Sequence, residues 1–285
     1  MPLPRAYLID SSIYIFRAWF VYDDSITDSK GNPSNAVFGF SDFLYQLIRQ
    51  KKPEFIACAF DSSQTDSYRK GLYPEYKANR DPAPEELKVQ FQHCRDFCHA
   101  VGIPHFGSDR FEADDIIGTL VENTQEFGQH DDVMIISADK DFIQLQKYNN
   151  VRQFSPMTKK FIQDPNPRRY LFDQILKGDS SDGVPNIFSP DNTFVDGIRQ
   201  SPMTKKKMDM YFENAENLQG VMETEHYRNY CRNKKMIDLS ETPQDLKDAI
   251  INRFDNQKVT HKSKVLNYLI KKHCKLLIES VEEFT

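Results

Sequence analysis

The sequence contains no run approaching the ~20 apolar residues that a membrane-spanning helix requires. Its opening, MPLPRAYLID, holds too short an apolar stretch for a secretion signal and ends in an acid. Cysteine is sparse. The five residues are scattered and odd in number, which excludes a disulfide scaffold and fits a reducing cytoplasm. With 11 Gly and 15 Pro there is neither a collagen-like period nor a low-complexity composition. An excess of basic charge is missing too: 37 Lys and Arg face 42 Asp and Glu, and the net charge of −5 gives no footprint of a nucleic-acid partner. Against these absences stand 21 Phe and 13 Tyr in 285 residues, enough apolar bulk for a core and too much for disorder.

Three short apolar runs predict buried strands: Ala6–Ile9, Phe55–Phe60 and Val133–Ile136, with a fourth at Val151–Phe154. Helical spacing between them predicts helices over about 34–50, 84–100 and from Glu112 to before Gly128. Strands alternating with helices imply an α/β fold with a mostly parallel central sheet flanked by helices. From about residue 166 the pattern turns helical and polar, at 170–177, 205–214, 243–254 and 261–280, with no further strand. The expected division is an α/β core over 1–165 and a smaller α-helical lobe over 166–285. The hexapeptide Ser-Pro-Met-Thr-Lys-Lys occurs twice, at 155–160 and 201–206, without surrounding similarity.

Each of the first three predicted strands is followed by acid: Asp10, Asp61, and Asp139 with Asp141. In open α/β sheets, ligands bind beyond the carboxyl ends of the strands. One such Asp is an ordinary turn or cap residue; three in succession point to a shared edge. Glu112, Asp114 and Asp115 lie in one helical turn, and Asp179 and Asp182 open the helical region. Carboxylate-only clusters select hard cations such as Mg²⁺ or Mn²⁺. Nine acids are too many for one ion, and two ions ~3.5–4 Å apart serve in-line attack on a phosphodiester. Setting the nine aside turns the net charge from −5 to +4, a mildly basic remainder suited to nucleic acid.

Basic and aromatic residues interleave over 68–80, where Arg69, Lys70, Tyr76, Lys77 and Arg80 suit phosphate contact and base stacking. Cys94 and Cys98 sit at i,i+4, but no second ligand pair follows, so both are expected in the core rather than on zinc. Trp19 and Phe20, at helical spacing from Phe16, are also expected in the core.

As an ordered set these segments resemble the 5′ nucleases of the flap endonuclease superfamily. The set comprises Leu8–Ala18, Gly31–Phe40, Phe60-Asp61, Tyr76–Arg80, Pro84–Leu87, Glu112–Asp115, Ser137–Asp141 and Gly178–Gly183. The C-terminal part lacks the Gly-x-Gly that follows the last Asp motif in that family, and instead resembles the ribonuclease H of T-even phages. The resemblance implies a phosphodiester hydrolase cutting DNA with a 5′ flap, a nick or a single-strand/duplex junction, and RNA–DNA hybrids. It implies two or three Mg²⁺ or Mn²⁺ ions, and leaves a monovalent-cation site without its expected residues. Asp10, Asp61, Glu112 and Asp114 fall on the first-ion side, Asp139, Asp141, Asp179 and Asp182 on the second, and Asp115 between. Lys77 and Arg80 would clamp the scissile phosphate. An arch is implied over about 62–95, with Ser34, Asn35 and Lys205, Lys206 and Lys207 among the DNA contacts. The expected molecule is a cytoplasmic monomer, with a single-stranded-DNA-binding protein or a sliding clamp as further partner. A non-catalytic fork binder would lack some of the acids, and a PIN-type ribonuclease would lack the Tyr-Lys-x-x-Arg segment and the helical lobe.

Overall fold

Alternation along the strands decides which face each residue buries. The computed structural model describes residues 5–61, 67–107, 110–125 and 132–256. Its six strands are β1 (Ala6–Asp10), β2 (Phe55–Ala59), β3 (His105–Phe106), β4 (Val133–Ile136), β5 (Val151–Ser155) and β6 (Lys160–Ile162). They form one sheet in the order β3-β2-β1-β4-β5-β6, parallel except for β6 against β5. Tyr7 and Ile9 of β1, with Cys58, Met134 and Ile136, pack on one face, and Leu8, Ala57, Val133 and Ile135 on the other.

The helices are α1 (Ser11–Val21), α2 (Asn35–Lys51), α3 (Tyr68–Leu72), α4 (Glu85–Ala100), α5 (Ala113–Asn123), α6 (Pro167–Lys177), α7 (Lys205–Glu213), α8 (Leu218–Val221), α9 (Thr224–Ile237) and α10 (Gln244–Asp255). α1, α2 and α4 cover the first face of the sheet, and α5 and α10 the second. Phe172, Leu176, Met208 and Tyr211 close a separate core between α6 and α7. Among the described residues no helix is long and apolar enough to cross a membrane.

The expected α/β fold with a parallel sheet and a helical C-terminal part is what the chain forms. Four details differ. First, β3 and β6 are too short, at two and three residues, to leave a periodic signal. Second, the C-terminal residues do not stand apart: Leu239, Leu246 and Ile250 belong to the core under the sheet. Third, the described residues of the segment 62–95 and the rest of α4 are packed into the cores. Leu87, Cys94, Phe97 and Cys98 bury α4 in the main core, while Tyr73 and Tyr76 pack with Ile175, Met236 and Ile237. Fourth, Phe20 is 79% exposed rather than buried. The helix expected over 261–280 lies outside the described residues.

Candidate active site

Strand order reverses between β1 and β4, and in open α/β sheets ligands bind beyond the carboxyl ends of the strands at such a reversal. Asp10 ends β1 and is almost fully buried. Ser137, just past β4, donates its hydroxyl to Asp10 Oδ2 at 2.8 Å and accepts the Asp139 N–H at 3.0 Å. Asp61 follows β2. Its N–H donates to Ser12 Oγ at 3.0 Å, and its Oδ1 accepts the Ala113 N–H at 3.0 Å, capping α5. That contact brings the first turn of α5, with Asp114, to the same edge. Asp139 Oδ1 accepts the Asp141 N–H at 2.9 Å and caps the short 3₁₀ helix Lys140–Lys147. Gln174 of α6 donates to Asp141.

The turn after α6 completes the edge. Gly178 has φ +68°, and a Cβ there would meet the Val184 carbonyl oxygen at 2.3 Å, so only glycine fits. Asp179 Oδ1 accepts from the Ser181 N–H at 2.8 Å and its hydroxyl at 2.7 Å. Asp182 accepts from Arg80 and, at 2.8 Å, from the Tyr76 hydroxyl.

Electrostatics tie these acids together. Burial, then Asp61 and Asp139, push Asp10 up to about 7 against the pull of Ser137. Burial and the charges of Asp139, Asp141, Asp10 and Asp61 hold Asp114 well above the usual carboxylate range. Burial and Asp179 raise Asp139, and burial, Asp139 and Asp179 raise Asp141. Asp182 is raised by burial, against Lys77 and Arg80. Glu112 goes the other way. Burial would raise it, but Lys77 at 2.9 Å and Arg69 at 3.4 Å hold it down at about 2. Eight acids therefore share one electrostatic environment, with Lys77 and Arg80 reaching into it.

Asp115 is not among them. It is fully buried, and Arg69 grips it with both guanidinium nitrogens at 2.8 and 2.7 Å. Thr242 Oγ1 at 2.9 Å, the Glu112 N–H at 2.9 Å and Tyr68 OH at 3.3 Å also donate to it. A carboxylate offers about four lone-pair sites; the guanidinium fork and the Glu112 N–H fill three, and the Tyr68 hydroxyl and the Thr242 hydroxyl, which is shared with the Leu239 carbonyl, crowd the rest. The expectation that it lies between two ions is thus corrected. Arg69, at 2% exposure, is not on a DNA-facing surface, and neither is Tyr76, whose hydroxyl bridges Glu112 and Asp182. Lys70 is half-buried. Ser34 and Asn35 are buried as well. The Asn35 amide donates to the Trp19 and Tyr22 carbonyls, and Gln90 occupies the neighbouring N–H groups of Ala36 and Val37. Lys205 and Lys206 are exposed and Lys207 half-buried, in the first turn of α7. Ser137 and Gln174 were not foreseen. The serine lay inside a noted motif, while nothing local marks the glutamine.

The donor set, carboxylates without histidine or thiol, suits a hard divalent cation. Among the described residues no three His, Cys, Asp or Glu side chains form a ready-made ion cage.

Fold and site together define an α/β protein whose functional edge is a crowd of carboxylates answered by Lys77, Arg80 and Arg69. Residues 5–170 match the family described as 5′-3′ exonuclease, N-terminal resolvase-like domain, and the chain belongs to that family. Residues 167–284 match the family described as T4 RNase H, C terminal. DNA polymerase I of Chloroflexus aurantiacus is 34% identical over 203 residues, covering 66% of this chain and 21% of the polymerase. The 5′-3′ exonuclease of Aquifex aeolicus is 34% identical over 192 residues, covering 64% of each. The chain thus spans about a fifth of that polymerase and under two thirds of that exonuclease. The D15 protein of phage T5, crystallised with metal ions, shares the fold at a TM-score of 0.62 and 17% identity, covering 89% of this chain and 99% of D15.

Proposed function

We propose that this chain is a divalent-metal-dependent 5′ nuclease, a 5′→3′ exonuclease and 5′-flap endonuclease acting on branched or nicked duplex DNA and on RNA–DNA hybrids. The observation that carries the reading is the meeting of eight electrostatically linked carboxylates with Lys77 and Arg80 at the carboxyl edge of the sheet. A T5 D15 flap endonuclease with DNA and metal ions has the same fold, and the Aquifex aeolicus relative is named a 5′-3′ exonuclease. RNA–DNA hybrids enter through the match of residues 167–284 to the T4 RNase H C-terminal family.

Asp10, Asp61 and Asp114 would hold one Mg²⁺ or Mn²⁺, and Asp139, Asp141, Asp179 and Asp182 the other, with Glu112 shared between the first ion and Lys77. Bound there, the ions supply a lowered pKa for an attacking water and a counter-charge for the phosphate. The chain does the rest. Ser137 fixes the Asp10 carboxylate by its hydrogen bond. Lys77, parked against Glu112 in the free protein, turns its amine to the scissile phosphate as a point charge. Arg80 offers a planar fork to the same group. Lys205, Lys206 and Lys207 bind the duplex backbone away from the reacting atoms. Such a protein works in the cytoplasm of a bacterial or phage-infected cell.

The test is a panel of labelled substrates: a 5′-flap duplex, a nicked duplex and an RNA–DNA hybrid, each with Mg²⁺ and with EDTA. Cleavage of all three with Mg²⁺ and of none with EDTA is expected. Cleavage of single-stranded RNA alone would move the chain to a different class of nuclease.

A further inference from the structure

The segment carrying Lys77 and Arg80 is held internally by turn-type backbone hydrogen bonds, Tyr76 to Tyr73, Ala78 to Glu75 and Arg80 to Lys77, rather than by a long helix. α3 is only five residues long, and the chain then turns through Tyr73–Arg80. Lys77 itself has φ +56°, in the left-handed region that a lysine rarely adopts. Something outside the segment must hold it there. Asn79 and Arg80 donate to the Ser180 and Ser181 carbonyls, each at 3.0 Å, and three further anchors reach the acids. The Lys77 N–H donates to the Asp182 carbonyl at 2.7 Å. Tyr76 bridges Glu112 and Asp182. The third anchor is Arg69, fully enclosed, which clamps Asp115 with both nitrogens and donates its Nε to the Met236 carbonyl at 3.0 Å. Asp115 also accepts from Thr242, in the link between α9 and α10. One buried cation therefore joins the Lys77 segment, the acid-bearing turn of α5 and the C-terminal helices.

We propose that the Arg69–Asp115 pair is a positioning device: it sets Lys77 against Glu112 and the reacting phosphate, and neither residue holds an ion or touches substrate. This rests on the nuclease reading above and adds to it a role for two residues of the motif segments. Asp115 resembles its neighbour Asp114 in sequence, yet Asp114 neighbours the other acids and Asp115 the guanidinium.

The test uses the full chain and the variants Asp115→Asn, Arg69→Lys, Lys77→Ala, Arg69→Lys with Lys77→Ala, and Asp139→Asn. Arg69→Lys keeps a buried cation and loses the fork, so it stands in where a neutral substitution fails to fold. Two quantities are read: Mn²⁺ affinity by calorimetry without DNA, and single-turnover cleavage of a pre-bound 5′-flap duplex in saturating Mg²⁺. Asp115→Asn is expected to leave Mn²⁺ affinity within about twofold of wild type, while Asp139→Asn weakens it. Arg69→Lys and Asp115→Asn are each expected to slow cleavage by about a hundredfold, the effect of misplacing a reacting group by ~1 Å. Adding Arg69→Lys to Lys77→Ala should slow cleavage no further, because the pair acts through that amine. A merely structural role would instead give losses that multiply. Multiplying losses, or an Asp115→Asn defect in Mn²⁺ affinity as large as that of Asp139→Asn, overturns the proposal. The titration reports on Asp115 whether or not the wild type cuts, and absent wild-type cleavage contradicts the nuclease reading separately.

Discussion

Lys77 carries much of the chemistry in this account, and its surroundings explain how a lysine serves there. Burial would strip its charge, but Glu112, Asp182 and Asp61 outweigh that and keep the amine protonated. A preorganised cation of this kind stabilises charge that develops only in the transition state. Lys77→Ala should therefore lower the single-turnover cleavage rate by about a hundredfold or more and leave flap affinity nearly unchanged. Quench-flow rates and an affinity titration on the same substrate check both halves. The neighbouring residues show where reading side chains one at a time fails. Tyr76 and Arg69 look like contacts for a nucleic acid, being aromatic and basic in a polar stretch. Both are buried, because the acids of the site supply the partners that let a hydroxyl and a guanidinium leave water. Asp114 and Asp115 differ only by the ~100° turn between successive helical residues, and sequence alone gives no reason to separate them.

At the scale of elements, α9 is the helix the sequence concealed. Its interior face carries Asn229 and Asn233 in place of leucines, so no apolar stripe marks it. The asparagines instead cap stray carbonyls: Asn229 donates to Ile187, and Asn233 to Ile175 and Pro185, at 2.8–3.0 Å. Asn233→Leu should cost about 1–3 kcal/mol, since it strips the Ile175 carbonyl of its amide donor and leaves the Pro185 carbonyl to Arg232 alone, and urea unfolding measures it. The repeated hexapeptide shows how far context governs local form. At 155–160 it ends β5, turns through Lys159 at φ +57° and opens β6; at 201–206 it caps and starts α7. In the second setting, Lys205, Lys206 and Lys207 crowd the positive end of a helix dipole, where cations are disfavoured. An anionic partner offsets that cost. Replacing all three by Ala should weaken duplex binding for every sequence and make its salt dependence shallower by up to about three units. Affinities measured across a salt series test this, and cleavage of pre-bound substrate should stay near normal.

For the whole molecule, the strands were legible because period-two alternation sends Tyr7 and Ile9 to one core and Leu8 to another. The acidic edge was legible because each of those strands ends at it. Less visible was how α10 returns beneath the sheet and how the last turn of α9 bonds to Arg69, since both depend on contacts far apart in the chain. The edge also sets the response of the whole fold to pH. Asp10 titrates at about 7 in the folded chain, and Asp114, Asp139, Asp141 and Asp182 are raised too, so the folded state binds more protons than the unfolded one. Stability without divalent ions must then fall as pH rises from ~4 through 7. Glu112, held at about 2, contributes with the opposite sign, but only as pH falls below its ordinary value. Melting in EDTA should show Tm declining between pH 5 and pH 8, and saturating Mg²⁺ should reduce or reverse the decline.

The central claim is that the eight acids at the sheet edge gather divalent ions for phosphodiester cleavage. Single-turnover cleavage of a pre-bound 5′-flap duplex, followed as Mg²⁺ is raised from zero, tests it most directly. The account predicts no cleavage in EDTA and a rate that climbs more steeply than the first power of Mg²⁺ before it saturates. Cleavage that persists in EDTA, or a bound flap left intact at every Mg²⁺ concentration, would contradict it.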